Sequence, residues 1–175
     1  MFELVVLLAR IAVGSFLLVA GIAKWRLGAR SFARAIRGYR LLPADLPDGV
    51  ARVLPFAEMT VGAALLLGAG LPTAAFCAAA LLTLFATAMA SALARGFEPD
   101  CGCASVRGQR VSWTLVYRNL GLGALLVPVA GDSAWAVAGT FAMVLTATVL
   151  LVAHHVFSRH GARGITRVLR MGGRT

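Results

Sequence analysis

The sequence predicts an all-α fold: a polytopic membrane helix bundle with a four-helix core, one additional span and an in-plane amphipathic helix. Three observations carry that expectation. Of the 175 residues, 59% are hydrophobic and 14% are charged, whereas a soluble domain holds about a quarter charged residues. The apolar residues gather into five runs of about 18 residues or more, the length that crosses a hydrocarbon core. The basic residues stand mostly between and after those runs. Mean hydropathy is +0.83, which excludes a disordered chain, and three cysteines do not make a disulfide scaffold.

The predicted spans are Leu4 to Ala23, Val53 to Gly70, Leu71 to Leu93, Trp113 to Ala130 and Ala134 to Phe157. The first is not a cleavable signal. It contains Arg10 and runs into Lys24, Trp25 and Arg26, a stop-transfer flank with an interfacial aromatic and no small-residue cleavage site. Together the spans and their connections form one membrane unit, residues 1–157, followed by a basic tail, 158–175.

Net charge is +10, from 16 arginines and one lysine against seven acids. In a soluble protein this would suggest nucleic acid. Here the placement assigns the cations to topology and to anionic lipids, and no nucleic-acid partner is expected. The first connection holds Lys24, Arg26, Arg30, Arg34, Arg37, Arg40 and Arg52, the third Arg95, Arg107 and Arg110, and the tail Arg159, Arg163, Arg167, Arg170 and Arg174. The connections around Gly70 to Pro72 and around Gly131 and Asp132 hold none. The positive-inside rule therefore expects the N-terminus outside and the C-terminus in the cytoplasm of an inner-membrane protein.

From Ser31 to Leu42, Phe32, Ile36 and Tyr39 recur at helical spacing while Arg30, Arg34 and Arg37 recur on another face. That pattern predicts an amphipathic helix at the head-group boundary, ended by Pro43 and Pro47. A solvated helical linker is the plainer alternative.

Charges inside spans need partners. Glu58 and Arg118 each fall about five residues into a span, about 8 Å deep, and are expected to pair with each other. Their plainer role is to register two helices; proton or ligand handling is the alternative. Arg10 lies nearer the opposite end of its span and is expected to snorkel, or to take a carbonyl or a ligand. Gly14, Gly21 and Lys24 follow Arg10 along one face, a small-residue stripe that admits a neighbouring backbone. Gly62 to Ala64, Gly121 and Gly123 are read the same way.

Chemical character concentrates in Cys101-Gly102-Cys103, in the loop before the fourth span. Two thiols one residue apart can close a strained disulfide that favours exchange, or present sulfur to a soft metal such as Cu(I). Arg107 and Arg110 favour a thiolate there while Glu98 and Asp100 oppose it. A loop with inert cysteines is the plainer alternative, and zinc lacks its usual four ligands. Cys77, near the far end of the third span, is read as a buried small hydrophobe. His154, His155 and His160 are read as interfacial.

The run from Arg10 to Lys24 (RIAVGSFLLVAGIAK), with GYRLLP at Gly38 to Pro43, resembles the DoxX-like membrane proteins. PFAE at Pro55 to Glu58, and CGC followed by YRN at Tyr117 to Asn119, resemble their MauE branch. The resemblance implies a small bacterial inner-membrane protein tied to redox or disulfide chemistry. In that branch it implies maturation of a disulfide-rich periplasmic subunit, and among DoxX relatives links to thiol, sulfur and quinone metabolism. It marks Cys101 and Cys103 as the reactive pair, with Glu58, Arg118, Asn119, Arg10 and Lys24 in support. The leading expectation is a thiol-disulfide oxidoreductase passing electrons to a redox partner protein or to a quinone. The alternatives are a non-enzymatic adaptor for a soluble oxidoreductase and a copper handler. The charge distribution sets the cysteine pair on the cytoplasmic side, whereas oxidation of an exported client would want it outside.

Overall fold

The computed structural model describes residues 2–99 and 110–133, together with Gly139, Ala142 and Thr146. These residues form α1 (Phe2–Leu27), α2 (Ala29–Gly38), α3 (Leu46–Leu67), α4 (Leu71–Ala94) and α5 (Trp113–Ala124), followed by a 3-10 segment at Pro128–Ser133 that kinks at Gly131. Four stretches are long and apolar enough to cross a membrane: Glu3–Leu27, Leu46–Leu67, Leu71–Ala94 and Trp113–Gly131. The fold among the described residues is thus all-α with four candidate spans. The expected fifth span at Ala134 to Phe157, the basic tail, the three histidines and the Cys101–Cys103 pair lie outside the described residues.

The helices start and stop for local reasons. Gly28, at φ 83°, turns the chain out of α1 and into α2. Pro47 does not separate α2 from the next span, as the sequence reading expected, but occupies the first turn of α3. A proline is tolerated there because that N–H has no partner inside a helix. α3 consequently begins seven residues before Val53, in a polar first turn that no apolar window detects. α2 ends at Gly38, earlier than the expected Leu42, and Arg40 follows in the left-handed region at φ 51°. Between α3 and α4 the turn is Gly68-Ala69-Gly70, with both glycines at positive φ and the Ala69 N–H returned to the Ala64 carbonyl at 3.0 Å. A left-handed cap of this kind satisfies carbonyls that the helix leaves open.

α1 and α3 run antiparallel in close contact. A Cβ on Gly14 would lie 3.0 Å from the Gly62 carbonyl oxygen, and one on Gly62 would lie 2.7 Å from the Gly14 oxygen. Further along, a Cβ on Gly21 would lie 2.7 Å from the Pro55 oxygen. The small-residue stripe is therefore a backbone-to-backbone seam. Gly121 is not part of any such approach, contrary to the expectation from sequence: it is exposed, and its missing Cβ would meet nothing within 4 Å.

The main core joins Ala9, Val13 and Leu17 of α1 to Leu65 of α3, to the alanines and Leu82 of α4, and to Leu126, Val129 and Ala130. Alanine at Ala74, Ala75, Ala78 and Ala79 lets α4 settle closely among its neighbours. A second cluster packs Ala86, Met89 and Ala90 of α4 against Val111, Leu115 and Val116. α2 is amphipathic as expected, with Arg30, Arg34 and Arg37 exposed. Its apolar residues Phe32 and Ala33 are buried against Ala51 of α3, with Leu54 and Leu27 around them. The helix docks on protein through the face that an interfacial helix would offer to acyl chains.

Substituting Gly62→Ala should destabilise the fold by about 1–3 kcal/mol, the usual cost of overpacking a closed seam. Gly49→Ala, at an exposed position of α3 where a Cβ meets nothing within 4 Å, should instead stabilise by about 0.5–1 kcal/mol, since alanine is the better helix former. Unfolding of the detergent-solubilised protein followed by circular dichroism makes the comparison.

Candidate functional site

Two buried charges of the spans, Lys24 and Glu58, meet near the end of the bundle where α1 finishes. Lys24 lies in the last turn of α1, one turn beyond Gly21, on the face that meets α3. Its Nζ donates to Oε1 of Glu58 at 2.5 Å, and the two side chains are 4% and 0% exposed. The ammonium also sits 5.1 Å from the ring centroid of Phe85 on α4 and 5.9 Å from that of Phe32 on α2. Four helices thus meet around one ion pair. The second carboxylate oxygen of Glu58, Oε2, is buried with no hydrogen-bond partner among the described residues. A buried carboxylate oxygen is a strong hydrogen-bond acceptor.

The partner of Glu58 is therefore Lys24 and not Arg118. Depth along the spans would allow either, but rotation about the helix axes decides. On α5 the inward residues are Leu115, Val116 and Asn119, so Arg118 turns outward and is exposed. Its guanidinium carbon lies 5.0 Å from the ring centroid of Phe16 on α1. Asn119 is buried and donates through Nδ2 to the Leu115 carbonyl at 2.8 Å, within its own helix. Arg10 donates through Nε to the Leu65 carbonyl at 3.2 Å, and a Cβ on Gly68 would collide with its guanidinium at 2.6 Å. Arg10 thus ties α1 to the end of α3, at the opposite end of the seam from Lys24.

Cys101 and Cys103 fall outside the described residues, but the base of their loop is defined. The Val111 N–H donates to the Pro99 carbonyl at 3.0 Å, and Arg110 pairs with Glu98 at 3.5 Å on the surface. At the end of α4, Arg95 donates to the carbonyls of Ser91, Tyr39 and Arg40, and the guanidinium groups of Arg95 and Arg40 both lie against the Phe97 ring. This latch holds the chain after α2 to the strand of residues that leads into the cysteine loop. The sequence reading did not find it, because the latch rests on backbone carbonyls that no residue type marks. Cys77, a free thiol, is half-buried near the start of α4, at the far end of that helix from the loop.

Removing one member of the buried pair, by Lys24→Met or Glu58→Gln, should cost about 3–5 kcal/mol because the remaining charge is stranded. The double variant should recover most of that loss, while Arg118→Gln should combine additively with Glu58→Gln. Chemical unfolding of the parent protein, the three single variants and the two double variants gives both coupling energies directly.

Comparison with known proteins places this arrangement. The family model described as methylamine utilisation protein MauE matches residues 3–131, from the start of α1 to the kink after α5. The chain is 39% identical over 123 residues to the methylamine utilization protein MauE of Paracoccus denitrificans, covering 69% of this chain and 66% of that protein. It is 38% identical over 119 residues to the MauE protein of Methylorubrum extorquens, covering 63% of each chain. Against the MauE protein of Paracoccus versutus it is 42% identical over 100 residues, covering 56% of this chain and 54% of that one. The matches thus span just under two thirds of the relatives' length, or less. No solved structure matches. With the family model covering all five described α-helices, the chain belongs to the MauE family of multi-pass membrane proteins.

Proposed function

We propose that this chain is an inner-membrane thiol-disulfide relay serving methylamine utilisation, with Cys101 and Cys103 as the reactive pair. The observation that carries the reading is position: the family match runs through the C-G-C loop, whose base is clamped by the Pro99–Val111 bond. In the forward step the thiolate of one cysteine attacks a disulfide of a partner protein, giving a mixed disulfide. The second cysteine then displaces the partner's sulfur. The partner leaves as a dithiol, and Cys101–Cys103 becomes a disulfide. Two electrons pass to the partner, and each proton lost by this pair is balanced by one gained on the partner's thiols.

Glu58, Lys24 and Arg10 support the relay by holding α1 to α3, the pair against which α4 packs, and Asn119 is buried within α5 at the far foot of the loop. The proposed topology has the N-terminus outside and the loop on the cytoplasmic side. The clustering of Lys24, Arg26, Arg95 and Arg110 at one end of the helix bundle supports it. A quinone as terminal acceptor, a purely adaptor role and copper handling by the same two sulfurs are the competing outcomes of the tests.

Free thiols trapped with a mass-shifting reagent across a series of thiol redox buffers should show Cys101 and Cys103 titrating together as a two-electron couple while Cys77 stays constant. A pair that stays reduced in every buffer would refute the relay, and copper bound stoichiometrically to that sample would favour the metal handler. An impermeant thiol reagent applied to intact cells should label neither loop cysteine until the membrane is opened; labelling from outside would reverse the topology.

A further inference from the structure

The outward flank of α5 carries a second site, independent of the relay. We propose that Arg118 seats one anionic phospholipid, its phosphate on the guanidinium and an acyl chain along the open surface at Gly121. Arg118 lies about 8 Å into α5 from Trp113, by the helical rise, and is exposed although it belongs to a candidate span. Among the described residues no carboxylate pairs with it, because the buried acid of the bundle, Glu58, is taken by Lys24. Its neighbour across the gap is Phe16 of α1. An aromatic ring offsets part of a cation's charge but accepts no conventional hydrogen bond from all five guanidinium N–H groups, which remain suited to phosphate oxygens.

Three further features fit the rest of a lipid. Trp113 and Tyr117, one turn apart on α5 and ending at the residue before Arg118, lie with ring centroids 6.4 Å apart, 48% and 67% exposed. Such aromatic side chains collect at head-group level. One turn deeper than Arg118, Gly121 leaves the helix surface bare, with nothing within 4 Å of a Cβ position. A further turn on, Leu125 is 44% exposed. From the basic end inward the flank therefore presents aromatic rings, a cation, a gap without a side chain and then a leucine. That is the order of interface, phosphate and acyl chain in one leaflet. The phosphate is a lipid's because the cation opens sideways from a membrane span, where free phosphate does not partition.

The test is native mass spectrometry of the full chain in mild detergent, doped with phosphatidylglycerol or phosphatidylcholine. One phosphatidylglycerol should be retained per chain, and Arg118→Gln should lower its retention about tenfold, what a charge-assisted hydrogen bond contributes. Gly121→Leu, which keeps the charge and fills the gap, should lower retention too, while Arg34→Gln on the exposed face of α2 should not. Equal retention of the two lipids would overturn the site. So would displacement of the lipid by inorganic phosphate, or a second copy of the chain held in its place. If Arg118→Gln does not fold, Gly121→Leu decides: undiminished phosphatidylglycerol would end the proposal.

Discussion

Lys24 and Glu58 form a buried ion pair between α1 and α3, and α2 and α4 are arranged about it. In a bilayer, lipid tails are as apolar as leucine, so burial alone does not hold two spans together. Close backbone contact and a desolvated ion pair can. The glycines at positions 14, 21 and 62 bring α1 and α3 near enough for Lys24 to reach Glu58. Phe32 then closes the pair from α2 and Phe85 from α4. At the other end of the same seam, Arg10 holds the Leu65 carbonyl. The seam is thus pinned at both ends by cations of α1, with glycines admitting close backbone approach between them and Val13, Leu17 and Leu65 packed alongside.

α4 has a different task. Its buried residues are mostly alanine, so it contributes area and not specific interlock, and it packs against both the α1–α3 pair and α5. Its specificity sits at its end, where Arg95 gathers the carbonyls that follow α2. The cysteine loop begins a few residues later. The foot of that loop, at Phe97, is therefore tied both to the end of α4 and to the residues that follow α2.

The spans were legible in the sequence because hydropathy sums over many residues and tolerates local error. The start of α3 was not, because Asp45, Pro47 and Asp48 make a polar helical turn ahead of the apolar run. The amphipathic pattern of α2 was legible, but periodicity does not say whether lipid or protein covers the apolar face, and here Ala51 covers Phe32 and Ala33. The misassigned partner of Glu58 has the same origin. Counting residues fixes height in the membrane and leaves azimuth open. The azimuth was in fact written in the stripe from Arg10 through Gly14 and Gly21 to Lys24, which pointed the lysine at the very helix that carries the acid. Of the chemical site, the residue types were legible and the clamped base of the loop was not, since it depends on carbonyls that every residue has.

The Lys24–Glu58 pair also bears on how the chain enters the membrane. Synthesis delivers α1 first, and a lysine in its last turn can extend toward the head groups while it waits. Glu58, twelve residues inside α3, has no comparable outlet, and an unpaired carboxylate at that depth resists insertion. By the time α3 emerges its counter-ion is already lodged in the bilayer. The order of the two charges along the chain therefore makes the first helix a receptor for the next, and the glycine seam aligns them as they meet.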